Sequence, residues 1–385
     1  MKCEWKSILA KDFIEFNPKI TLKKGTIAKK VAMDKVLPYT KYINEFEYAN
    51  YTGGSKFQNG DTIMARITPC LENGKTAFVD FLDENEIGFG STEFIVLRER
   101  KGISDAQYIY YLSINPQFRK IAINSMVGSS GRQRVQQSVL DELELFVPDI
   151  NEQRKIANIL NKIDEKIRIN NIINDNLEKQ AQLIFNKIFI NIDKVPKNWK
   201  YSNLLQIANY TNGLAMQKFR PIDKINSLPV LKIKELRQGY CDNNSELCSI
   251  SIDKKYIVNN GDVIFSWSGT LLLDIWCSDT CGLNQHLFKI TSEKYNKWFY
   301  YFWTKYHLNK FISIASSKAT TMGHIKREDL LKSTVILPSE NDYKKIDALI
   351  NPIFSKIINI KIESYKLNSI RNKLLPNLIT GKIKF

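Results

Sequence analysis

Three histidines (His286, His307 and His324) and six cysteines are the residues of this 385-residue chain best suited to hold a metal or attack a substrate. The histidines lie scattered, and there is no His-x3-His or Cys-x2-Cys pair. Cys277-x3-Cys281 and Cys241-x6-Cys248 are the nearest approach to a zinc ligand pattern. No G-x-x-x-x-G-K-[ST] phosphate loop or G-x-G-x-x-G turn occurs. Asn17-Pro18, Asn115-Pro116 and Asn351-Pro352 lack the second proline and aromatic of an amino-methyltransferase motif. Pro148-Asp149 followed by Asp164-Glu165-Lys166 has the residue types of a magnesium nuclease, whose carboxylates must converge at a strand end. Helical spacing instead puts Asp164 about 22 Å along a helix from Asp149. These side chains are therefore expected on solvated helix flanks.

What remains is binding chemistry. Gly128-Ser129-Ser130-Gly131-Arg132-Gln133-Arg134 has its counterpart in the segment 316–326, which carries Lys318, Thr320 and Lys326. Small residues let a backbone approach a polyanion, while Arg, Lys, Gln and Thr supply donors to phosphates and base edges. Arg66, Lys75, Arg132, Gln133, Arg134, Lys232, Lys234, Asn284, Gln285, Lys318, Thr320 and Lys326 are the candidate nucleic-acid-binding residues. Tyr110, Tyr111, Tyr300, Tyr301 and Trp303 can stack on bases, but their helical spacing predicts core positions.

A formal charge of +16 points to a polyanionic partner, and 43% hydrophobic residues argue against disorder. The charge is uneven: residues 1–148 carry +2, 149–190 +1, 191–337 +8 and 338–385 +5. Engagement of a polyanion by the second half is accordingly expected to be the more salt-sensitive. No apolar run of about 18 residues predicts a membrane span. The N-terminal residues show no secretory pattern, so a cytoplasmic protein with reduced thiols is expected.

The candidate contacts must be positioned by elements that occur twice. An offset of 190 residues superposes 109–188 on the second half, with Pro148 on Pro338. Upstream, Ser91–Leu97 match Asn284–Ile290 at 193, and Asn59-Gly60-Asp61 matches Asn260-Gly261-Asp262 at 201. The predicted organisation is α+β: tandem mixed domains at 1–148 and 191–337, followed by helices at 149–190 and 338–385. Short apolar runs bounded by turn residues predict strands, and 104–124 and 293–314 predict helices.

The long helices carry heptad seams. One runs Ile156, Leu160, Ile163, Ile167, Asn170, Asn174, Leu177; the other runs Ile346, Ile350, Ile353, Ile357, Ile360, Ser364, Leu367, Arg371. So narrow a stripe predicts that the helices pair, with Asn170, Asn174 and Ser364 fixing register. A helix lying on a globular core is the other arrangement it allows. The seam leaves their relative direction open.

In this order, these stretches resemble the specificity subunits of type I restriction-modification enzymes. The resemblance rests on the run Asn59 to Lys75, on Gly88-Phe89-Gly90-Ser91-Thr92-Glu93-Phe94, and on Val147-Pro148 followed by Glu152-Gln153-Arg154-Lys155-Ile156. In the second half it rests on Gly261-Asp262-Val263-Ile264, Ser268-Gly269-Thr270 and Leu283-Asn284-Gln285. It implies two target-recognition domains, each reading half of a split double-stranded DNA sequence, separated by two antiparallel helices. Methyltransferase (M) and restriction (R) subunits would assemble around it. The chain itself would hold no cofactor and perform no catalysis, while the complex would use S-adenosylmethionine, ATP and Mg2+. Asp342-Tyr343-Lys344-Lys345 departs from the family pattern at the second helix. A coiled-coil scaffold with globular ends binding protein or RNA is the alternative reading.

Overall fold

The computed structural model describes residues 5–317 and 323–383. Its contacts divide the chain into two units, Met1–Ile167 with Leu367–Phe385, and Arg168–Lys366. Each unit contains one globular copy together with a stretch of each long helix.

The copies share one topology. In the first, a four-stranded antiparallel sheet runs Ile14–Phe16, Phe94–Glu99, Thr62–Ala65, Thr76–Phe78. A second sheet runs Glu47–Asn50, Ile27–Val31, Gly88–Gly90, Lys56–Phe57, with Ile27–Val31 and Gly88–Gly90 parallel. The corresponding sheets of the second copy are Asn209–Asn212, Leu287–Thr291, Asp262–Ser266, Leu272–Trp276 and Leu247–Ser249, Ser227–Leu231, Cys281–Leu283, Ile257–Val258. A two-stranded ladder closes each copy, pairing Lys6 with Val147 and Lys200 with Leu337.

The repeated Asn-Gly-Asp is a strand-entry turn. Gly60 and Gly261 have φ of +90° and +83°, a region L side chains rarely adopt. Asp61 and Asp262 accept from the backbone N–H of Gln58 and Asn259, and each meets a cation on the neighbouring strand: Arg98 at 2.7 Å, Lys289 at 3.2 Å.

Two helix expectations shift. The segment 104–124 forms two helices, Ala106–Ile114 and Pro116–Asn124, because Pro116 at a helix start breaks the run and the Asn115 side chain caps the second. The later helix is Lys297–Ser317. Tyr110, Tyr111, Tyr300, Tyr301 and Trp303 are all buried.

The long helices are Ile150–Phe185 and Glu340–Ile379. Asp149 Oδ1 accepts from the N–H of Asn151 and Glu152, which makes this former nuclease candidate a helix cap. The early turns of the first helix share a unit with the last turns of the second, so the two run antiparallel. Ile156, Leu160, Asn170, Asn174, Ile346, Ile350, Ile357 and Ser364 are buried; Ile163, Ile167, Leu177, Ile353 and Leu367 are half-buried.

The helices also meet their globular copies, which corrects the solvated-flank expectation for Asp164. Asp164 and Arg371 are both buried and form a 2.7 Å ion pair. The other oxygen of Asp164 accepts from Tyr111 OH at 2.7 Å. Lys41, also buried, donates to Tyr111 OH and Asn161 Oδ1. Burial pushes the Lys41 ammonium down to about 8, against the opposing pull of the Asp164 charge. In the second unit Asp164 is replaced by Phe354, whose ring packs 5.2 Å from Tyr301 and 5.8 Å from Phe302. A polar contact along the seam there is Asn170 Nδ2 to Glu363 Oε2, 2.8 Å.

Candidate nucleic-acid interface

In each copy three chain segments meet where a central strand of the antiparallel sheet ends. In the first copy, Arg66 follows the strand Thr62–Ala65. Its N–H donates to Glu93 O, and its O accepts from Val135 N–H. Ile67 and Val127 both bridge to Arg134. The glycine-rich loop 128–133 is thereby lashed beside Arg66 and the Ser91–Glu93 turn. Its Gly128 and Gly131 have φ of +133° and +77°. The Arg134 guanidinium grips the Glu93 carboxylate with three contacts of 2.7–3.0 Å. Glu93 thereby holds the cation up, away from its ordinary acid–base range.

The second copy repeats these connections. Trp267 N–H donates to His286 O, Trp267 O accepts from Ile325 N–H, and Ser268 bridges to His324. Arg66, Glu93 and Arg134 therefore correspond to Trp267, His286 and His324. Where the first copy places a charged trio, the second places an aromatic one. The Trp267 ring centroid is 6.1 Å from His286 and 6.2 Å from His324. Ser268 Oγ lies 2.9 Å from His286 Nδ1.

Two histidines that look scattered in the sequence thus converge on a tryptophan that is not among the sequence candidates. The 201-residue offset already puts Trp267 on Arg66, a signal that could have found it. Among the described residues no group of three or more His, Cys, Asp or Glu could hold a metal ion, and the five described cysteines are unbridged.

The other candidates are placed variously. Arg132 is exposed and Gln133 half-buried, both on the lashed loop. Arg66 is half-buried, its Nη2 donating to Val135 O at 3.2 Å. Lys75 Nζ donates to Met33 O at 2.7 Å. Lys232 pairs with Glu246 at 2.7 Å and exposed Lys234 with Asp242 at 3.3 Å. Asn284 is buried, and its Oδ1 accepts from His286 N–H, so it builds the turn behind the trio. Gln285 Nε2 lies 3.3 Å from His286 Nε2. Lys326 is exposed one residue beyond Ile325. Lys318 and Thr320 fall outside the described residues.

Beside the first trio a cavity of about 310 Å³ is lined by Lys30, Asn50, Thr52, Gly90 and Ser91, among others. No helix among the described residues is long and apolar enough to cross a membrane.

Comparison with known proteins places this architecture. The chain is 27% identical over 304 residues to the type I restriction enzyme MjaIX specificity subunit of Methanocaldococcus jannaschii, covering 72% of this chain and 69% of that one. It is 22% identical over 419 aligned positions to the MjaVIII specificity subunit of the same organism, covering 99% and 93%. The crystal structure of the type I restriction-modification S subunit from M. genitalium shares the fold, with a TM-score of 0.59, 14% identity, and coverage of 98% of this chain and 96% of that one. The model of the type I restriction modification DNA specificity domain matches residues 3–179 and again 196–372, and the chain belongs to that family, carrying its domain twice.

Proposed function

We propose that the chain is the DNA-specificity subunit of a type I restriction-modification assembly, each copy reading one half of a bipartite duplex target. The long helices act as the spacer and as the docking surface for methyltransferase subunits, with restriction subunits joining the complex. Catalysis, S-adenosylmethionine, ATP and Mg2+ belong to those partners, and the assembly works in the cytoplasm.

One observation carries the reading. The same frame occurs twice, with Arg66, Glu93 and Arg134 at three positions in one copy and Trp267, His286 and His324 in the other. A frame kept while its outward side chains change is what recognition of two different half-sequences requires. Arginine suits guanine N7 and O6, and aromatic rings suit thymine methyls and the edges of bases. Arg132, Gln133 and Lys326 extend these surfaces toward phosphates.

Co-expression with the neighbouring methyltransferase subunit, followed by genome-wide mapping of methylated adenines, tests it. A split motif is expected. Tight RNA or protein binding with no preference among duplexes would instead favour the scaffold reading.

A further inference from the structure

Outside the trios, each copy carries a second exposed feature at one topological place: the loop joining the edge strand of the antiparallel sheet to the next strand. In the first copy it is residues 17–26, with Lys19, Lys23 and Lys24, leading into Ile27. In the second it is 213–226, with Lys218, Arg220, Lys224, Ile222 and Ile225. All six basic residues are exposed. Lys19, Lys23, Lys24, Lys218 and Lys224 have no ion-pair partner among the described residues. Arg220 makes one long contact, 3.4 Å, to a Glu246 already shared with Lys232. Relative exposure is 69% for Ile27, and at 102% and 92% Ile222 and Ile225 pack against almost nothing.

Both loops are held in shape. Gly25, at φ +86°, turns the first, and Thr26 O accepts from Tyr51 N–H at 2.8 Å. In the second, Asp223 accepts from both the backbone and the side chain of Asn226, which occupies the one carboxylate in the loop. A Cβ at Gly213 would lie 2.2 Å from Asn284 O, so the root of this loop is pressed against the turn behind the aromatic trio.

The root of each loop is tied close to the site already described. Asn17 Nδ2 donates to Gln137 Oε1 at 2.6 Å, just past the 128–134 loop. Asn212 Oδ1 accepts from Trp267 Nε1 at 2.9 Å.

We propose that the loops 17–26 and 213–226 are duplex-DNA contact elements, their basic side chains on phosphates, with Ile27 just past the first loop and Ile222 and Ile225 of the second seated in a groove. Charge complementarity selects DNA: each loop offers three cations and no carboxylate that is not already engaged. The exposed isoleucines supply apolar contact of the kind thymine methyls and sugar edges accept. This rests on the function proposed above.

The test titrates the full-length chain with a generic duplex between about 50 and 200 mM salt. Lys19→Ala/Lys23→Ala/Lys24→Ala and Lys218→Ala/Arg220→Ala/Lys224→Ala should each make the slope of log affinity on log salt shallower by about 2 to 3, at roughly 0.9 per phosphate contact. Ile222→Ser/Ile225→Ser should weaken binding about tenfold with the slope unchanged. Lys162→Ala/Lys356→Ala/Lys366→Ala, on exposed helix faces, should change neither. An equal slope change in this helix control overturns the proposal. So do loop variants that bind duplex normally, including any that lose only the methyltransferase subunit. In those cases the unaltered chain still binds duplex and the functional reading stands; if the unaltered chain binds no duplex, that reading falls as well.

Discussion

The two copies solve the same folding problem with different chemistry at the same places. At the sheet ends, the charged Arg66, Glu93 and Arg134 stand where the second copy has Trp267, His286 and His324. At the helix junctions, the first copy buries the Asp164–Arg371 pair under Tyr111, whereas the second packs Phe354 on Tyr301. Backbone hydrogen bonds and apolar strand faces hold the frame, so side chains at its open end and at one junction position are free to differ. A duplicated fold preserves topology more strictly than chemistry.

The largest effect should come from breaking the polar junction. Arg371→Met leaves Asp164 buried without its cation and should destabilise the first unit by about 3–5 kcal/mol, read by hydrogen exchange of that unit. Asp164→Leu/Arg371→Leu, which makes the junction apolar like its counterpart, should recover most of that loss. If the double variant is as unstable as the single, the apolar junction of the second unit is no guide to the first.

Next comes the aromatic corner. Trp267→Ala should cost on the order of 1–3 kcal/mol of discrimination at one half-site and leave the other unchanged, measured from the methylation motif or by duplex competition. Loss at both half-sites would mean that the copies do not read independently. Glu93→Gln has a subtler expectation. On the proposed interface it frees Arg134 and removes a carboxylate, so binding to scrambled DNA should rise while discrimination falls by less than in the Trp267 variant.

The smallest effect is a pH dependence confined to the second unit, which contains all three histidines. Burial holds the His307 ring below the ordinary histidine range, against the favourable bond of Nε2 to Thr334 O. The unfolded chain takes up that proton near pH 6.5, before the folded ring does. The contribution is therefore fully present above about pH 6.5 and is lost as pH falls below it. Acid titration of stability should show this loss in the second unit only, and His307→Gln should flatten it.

Much of the scaffold is legible in the residues. Repeated Asn-Gly-Asp turns need a positive-φ glycine before a strand, and heptad seams need a partner, so periodicity and turn chemistry reveal them locally. The site is less legible. Asp164 reads as a solvated flank because helical spacing reports which face a residue is on, not what covers that face. Tyr111 and Arg371 cover it from 53 and 207 residues away. His286 and His324 look scattered for the same reason.

The duplication, the mixed domains, the long helices and the excess of positive charge can be read from the residues alone. Those follow from short-range pattern and composition. That Arg66, Glu93 and Arg134 share one corner, that Trp267 gathers two histidines, and that Asp164 is buried emerge from the folded chain. Such contacts depend on strand register and helix packing across long separations, which no local pattern encodes.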